Sequence, residues 1–72
     1  MSAVVTGGSV GLSQRELRVL GLLADGYRTS EIAVELSYSE RAIKHSIAAV
    51  TSRLQLRNRT QAVAFAVRAG LI

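Results

Sequence analysis

The 72-residue sequence has no cysteine, which excludes disulfides and thiolate metal sites. It has one histidine, too few to build a zinc centre. No apolar run exceeds six residues, whereas crossing a bilayer takes about 18 or more. No charged-then-apolar leader opens the chain. These absences set the expectation of a soluble, cytoplasmic protein with no membrane partner, metal or cofactor. Acidic residues are also missing from everything beyond residue 40. Residues 1–40 carry three arginines against five acids, while residues 41–72 carry six basic residues and no acid.

That asymmetry, rather than the net charge of +4, bears on function. A basic half in so small a chain points to a polyanion, and to nucleic acid ahead of membrane. A membrane-surface helix sets a Lys/Arg face against Trp, Phe and Leu, and no segment here does so. The plain alternative is a solvated basic face. Length allows one domain, whose single core contributes about 3–5 kcal/mol when nothing staples it.

Met1 to Gly11, with Gly7, Gly8, Ser9 and Gly11, has no usable period and reads as a flexible lead-in or linker. Domain character begins at Leu12 and runs to Ile72. Ser13 and Glu16 form a capping-box pair, with Leu12 placed to staple onto Leu17. The stripe Leu17, Leu20, Leu23 and Ala24 predicts a helix, α1, over 14–25, closed by Gly26. A short α2 follows over about 29–36, with Ile32, Ala33 and Leu36 inward and Glu31 and Glu35 outward. Ser37-Tyr38 is too short a joint to let the chain travel, so α2 and α3 must cross steeply, as in a helix-turn-helix. Tyr38 is expected to plug the junction with its ring.

The third helix, α3 over 40–54, organises the rest. Ile43, Ile47, Val50 and Leu54 recur at steps of four, three and four, which places them on one side. The opposite side carries Arg41, His45, Ala48 and Ser52, with Lys44 and Ala49 on the flanks. One face asks for a core and the other suits a negative surface. Ser39 is the expected N-cap, and Glu40 suits the positive end of the helix dipole. Asn58 with Gln61 makes another capping pair before α4, about 59–69, ended by Gly70. That helix is apolar on two sides, with Ala62, Phe65, Ala66 and Ala69 on one and Val63, Ala64, Val67 and Leu71 on the other. The second side is expected to pack against another copy of the chain, unless it simply tolerates water.

Several strings go further than the pattern. Leu12-Ser13-x-Arg15-Glu16-Leu17-x-Val19-Leu20, Glu31-Ile32-Ala33 with Leu36, Ser39 with Ile43-Lys44, and Arg57-Asn58-Arg59-Thr60-Gln61-Ala62-Val63 resemble the DNA-binding domain of the LuxR family. That domain also ends NarL-type response regulators. The likeness runs from Leu12 to Ile72. It implies an all-α, four-helix helix-turn-helix domain acting as the output module of a bacterial transcriptional regulator. Double-stranded DNA is then the partner, with α3 in the major groove and a homodimer formed through α4. Carried over by position, base contacts fall on Lys44, His45 and Ala48. Phosphate contacts fall on Ser39, Arg41, Arg57, Asn58, Arg59 and Thr60. The sequence departs from the family at Ala42, where Thr is frequent, and at Ser46, where His is frequent.

The chemistry of these residues suits the roles. Lysine donates to guanine O6 and N7, and one such contact is worth ~1–3 kcal/mol of discrimination. His45 can donate to a base or a phosphate, and Ala48 permits close approach to a thymine methyl. Arg41, Arg57 and Arg59 neutralise phosphates, which adds affinity and salt dependence but little sequence choice. Arg53 faces neither the core stripe nor the centre of the outward face, and stands between a DNA contact and a solvated position.

Two rival readings share these features. A helical protein-interaction module docking through α4 would leave the basic face incidental. A promoter reader of the sigma-factor region 4 kind would share the helix-turn-helix and take RNA polymerase as partner. An enzyme is not expected, because no acid or nucleophile sits beside His45 on its face and no Gly-rich phosphate loop exists.

Overall fold

The computed structural model describes residues 11–72, so the lead-in expected over 1–11 lies outside the described residues except for Gly11. Four helices follow in order: α1 Gln14–Ala24, α2 Thr29–Leu36, α3 Glu40–Arg53 and α4 Arg59–Arg68. The described residues contain no strand, and the all-α architecture is the expected one. None of the helices is long and apolar enough to cross a membrane.

Each start is fixed by a local device. The Ser13 hydroxyl accepts from the Glu16 N–H at 3.0 Å, and the Glu16 carboxylate accepts from the Ser13 N–H at 2.8 Å. Ser39 caps α3 through the Ala42 N–H at 3.1 Å. Asn58 caps α4 through the Gln61 N–H at 3.0 Å, while the Gln61 side chain accepts from Arg57 N–H rather than from its cap. Helix α2 follows Arg28, which supplies no side-chain cap; Glu31 instead accepts from the Arg28 N–H at 2.7 Å.

The ends share one solution, in which a left-handed residue turns the chain back and two N–H groups reach the last carbonyls. Gly26 (φ 92°) and Gly70 (φ 72°) take that conformation in the two places expected of glycine. Ser37 (φ 60°) and Gln55 (φ 56°) take it as well. Tyr38 N–H then donates to Ala33 O at 2.9 Å, and Leu56 N–H to Thr51 O at 2.8 Å. A side chain in that region is strained, so the packing of Leu36 before the first turn, and of Leu54 and Leu56 around the second, must over-determine them.

Two apolar clusters hold the helices together. Val19, Ile32, Ala33, Ile43 and Ile47 join α1, α2 and α3, with Leu22, Leu23 and Leu36 against them. Leu12, Leu20, Val50, Ala62 and Ala66 join α1, α3 and α4, with Leu17, Leu54, Leu56, Val63 and Leu71 around them. Ala62 and Ala66 are fully buried, so α4 approaches its neighbours closely, as small residues permit.

Three expectations need correction. Tyr38 does not plug the junction. The residue is 43% exposed and its ring lies under the Arg15 guanidinium, which is 5.0 Å from the ring centroid, because the left-handed turn at Ser37 directs it outward toward α1. The inward side of α4 is Ala62 and Ala66, while Phe65 is half-buried and Ala69 exposed. Val63 and Leu71, assigned to the outer side, pack against the core instead. Val63 is only about 100° from Ala62 around the helix, and the turn at Gly70 folds Leu71 back, its N–H donating to Ala66 O at 2.8 Å.

Arg53 also finds a partner that proximity in sequence does not suggest. Its guanidinium donates to Glu16 Oε1 at 2.6 Å, tying the end of α3 to the start of α1. Burial raises the pKa of Glu16, but the Ser13 backbone bond, the Arg53 guanidinium and the Ser13 hydroxyl outweigh it and hold the carboxyl below its ordinary value. A carboxyl lowered on folding stabilises the fold at pH values above its unfolded pKa, and that contribution fades as pH falls through the folded pKa. Glu16→Gln is therefore expected to destabilise the domain near neutral pH and to shrink the loss of stability on acidification. Urea midpoints for both proteins between pH 7 and pH 3 check this.

Candidate nucleic-acid interface

Helix α3 has 14 residues, a length of about 21 Å. The core holds Ile43, Ile47 and Val50, which fixes the rotation of the helix about its axis. Arg41, Lys44, His45, Ala48 and Ser52 consequently face solvent, and the expected outward face is the observed one. Ser46 is buried, 3% exposed, so that position belongs to the inner side.

At the N-terminal end the Ser39 hydroxyl accepts the capping bond, which leaves its own hydrogen free to donate. Lys44 Nζ lies 3.7 Å from Glu40 Oε2, with both side chains about half exposed, a pair of little strength in water. The same Glu40 oxygen accepts from the Thr29 hydroxyl of α2 at 2.7 Å. At the other end, Leu54–Leu56 leads to Arg57, Asn58, Arg59 and Thr60, all exposed. Asn58 accepts through its carbonyl oxygen, so its amide NH₂ remains a donor. Arg59 and Thr60 occupy the first turn of α4, where unpaired N–H groups and the helix dipole favour an anion.

The sites assigned from sequence thus fall into three groups. Lys44, His45 and Ala48 share the exposed face of α3. Ser39 and Arg41 stand at its start, and Arg57, Asn58, Arg59 and Thr60 stand beyond its end. No acid follows Glu40 in the sequence. Arg53 is apart from these, engaged by Glu16. Of the residues assigned to self-association, Val67 is 53% exposed and Ala64 half-buried. Beside them Leu56, Gln61, Ala64, Phe65, Arg68 and Ala69 line a cleft of about 480 Å³. Sequence reasoning missed the Thr29–Glu40 bond, since nothing in the spacing marks a hydroxyl on α2 as a partner for α3.

The sequence pattern described as "Bacterial regulatory proteins, luxR family" matches residues 10–66. The chain belongs to the luxR family. Its fold is similar to the structure of transcription factor GerE, with a TM-score of 0.81 and 30% identity over 83% of this chain and 90% of that one. Among curated relatives, transcriptional regulatory protein LnrK of Bacillus subtilis (strain 168) is 38% identical over 60 residues, covering 83% of this chain and 27% of LnrK. Response regulator protein VraR of Staphylococcus aureus is 36% identical over 61 residues, covering 85% of this chain and 29% of VraR. The chain therefore spans less than a third of the length of these relatives. What it carries is the luxR-type helix-turn-helix domain of transcriptional regulators, a DNA-binding class and not an enzyme class.

Proposed function

We propose that this luxR-type domain binds double-stranded DNA sequence-specifically, with the exposed face of α3 in the major groove, as the output domain of a bacterial transcriptional regulator. The observation that carries this is the face itself: Lys44, His45 and Ala48 stand clear of the fold between two sets of cationic and hydrogen-bonding residues. The major groove is about 12 Å wide, so a helix of about 21 Å lying in it brings its two ends toward opposite phosphate strands. Lys44 and His45 then donate to base edges, and Ala48 makes apolar contact. Ser39 and Arg41 hold one strand, and Arg57, Asn58, Arg59 and Thr60 the other.

Fluorescence anisotropy with duplex DNA across a salt series tests the reading. Affinity falling log-linearly with salt is expected, and negligible, salt-independent binding contradicts it. Two variants separate the roles. Arg59→Ala weakens binding to every sequence and lowers the salt slope by about one unit, whereas Lys44→Ala relaxes sequence choice. Equal effects of Lys44→Ala on selected and random duplexes would remove it from the reading face.

The exposed side of α4 supports pairing of two copies on DNA, centred on Val67 and Ala64. A single α3 reads too few base pairs for strong specificity, and a dimer reads two half-sites. Val67→Glu is expected to abolish cooperative binding to a two-half-site duplex and leave single-half-site binding intact. Sedimentation of the protein–DNA complex reads the stoichiometry, and two copies still bound by the variant would exclude this face.

A further inference from the structure

We infer that Glu40 is a positioning residue for sequence choice: anchored by Thr29, it restrains the Lys44 ammonium at the start of α3. This rests on Lys44 reading bases, as proposed above.

Glu40 is the last acid in the chain and the only one on α3. A carboxylate on a face that meets phosphates opposes binding to any duplex, so affinity alone does not explain it. Its contacts do. Thr29 is buried, on a helix whose Ile32 and Ala33 lie in the core, and its hydroxyl donates to Glu40 Oε2 at 2.7 Å. That oxygen lies 3.7 Å from Lys44 Nζ. The bond joins two helices, so the carboxylate is fixed relative to the domain and not merely to its own helix.

Lysine needs such a restraint more than arginine does. Its ammonium is a point charge on a flexible stem, and it donates to a phosphate oxygen as readily as to guanine. A free Lys44 can swing to the phosphate strand, which adds affinity for all sequences equally. In water the pair is weak, but against a duplex that excludes water the same charges interact more strongly, so there the fixed carboxylate keeps the ammonium on the helix face and offsets its pull toward phosphates. Specificity is a difference of affinities, and Glu40 raises it by weakening the wrong complexes.

Selection from a random duplex pool with sequencing of bound DNA, together with anisotropy on a random duplex, tests this on the whole chain. Glu40→Gln keeps an acceptor for Thr29 and removes the charge; Thr29→Val removes the donor; Thr29→Ser restores it. Glu40→Gln and Thr29→Val are expected to flatten base preference at the same position that Lys44→Ala flattens, with Thr29→Ser like the parent. Glu40→Gln should also steepen the salt slope on random duplex by about 0.9, which is about 3.5-fold more affinity lost over a fourfold rise in salt. Preferences unchanged in Glu40→Gln and Thr29→Val, beside a flattened Lys44→Ala, would overturn the inference and leave the reading of Lys44 standing. So would a lowered melting temperature in Thr29→Val with preference intact, the mark of a purely structural bond. A Lys44→Ala profile identical to the parent would overturn both.

Discussion

Ile43→Ala is expected to unfold most of the domain and, with it, to abolish DNA binding. Ile43 is fully buried in the cluster that joins α1, α2 and α3. Truncating such an isoleucine costs about 2–5 kcal/mol, the lost transfer energy plus the cavity left behind. A single core of this size contributes only about 3–5 kcal/mol in all, so the loss is of the order of the whole stability. Ile43 also sets the rotation of α3, because its burial is what turns Lys44 and His45 outward. Helical circular dichroism against urea measures the effect, and a midpoint shift worth less than about 1 kcal/mol would mean that the site collapses around the smaller side chain.

Ala48→Glu should do the converse, leaving the fold intact and removing DNA binding. Ala48 is exposed and in mid-helix, and glutamate is nearly as good a helix former as alanine. In solution the new side chain meets water and, one turn back, the Lys44 ammonium, a pair worth only about 0.2–0.5 kcal/mol. In a groove it meets base edges and phosphates, and a like-charge juxtaposition of that kind costs several kcal/mol, about two to three orders of magnitude in affinity. Unchanged melting with binding lost in an anisotropy titration is the expected pair of results. Retained binding would put some other surface against the duplex.

The helices and their ends were legible wherever the determinant is local. Ser13 with Glu16, Asn58 with Gln61, Gly26 and Gly70 act over four residues or fewer, and each was readable from spacing alone. The outward face of α3 was legible for the same reason, since burying Ile43, Ile47 and Val50 leaves Lys44, His45 and Ala48 no other side. Contacts between distant parts of the chain were not. Arg53 meets Glu16 across 37 positions, and Thr29 meets Glu40 across the turn; neither leaves a mark in periodicity. Ser37 and Gln55 adopt positive φ where Leu36 before the one, and Leu54 and Leu56 around the other, are held by the core, and their residue types advertise no such turn. The two sides of α4 were misdivided because a helix of Ala and Val gives little contrast, so the turn at Gly70, rather than the apolar pattern, decides where Leu71 goes.

The most direct test of the groove-facing role of α3 is an NMR titration of the isotope-labelled chain with duplex DNA at low salt. Amide shifts concentrated at Ser39–Ala48 and Arg57–Thr60, with Gly21–Asp25 and Val34 unmoved, are the predicted result. Shifts at Gly21–Asp25 and Val34 while Lys44, His45 and Ala48 stay silent would contradict it.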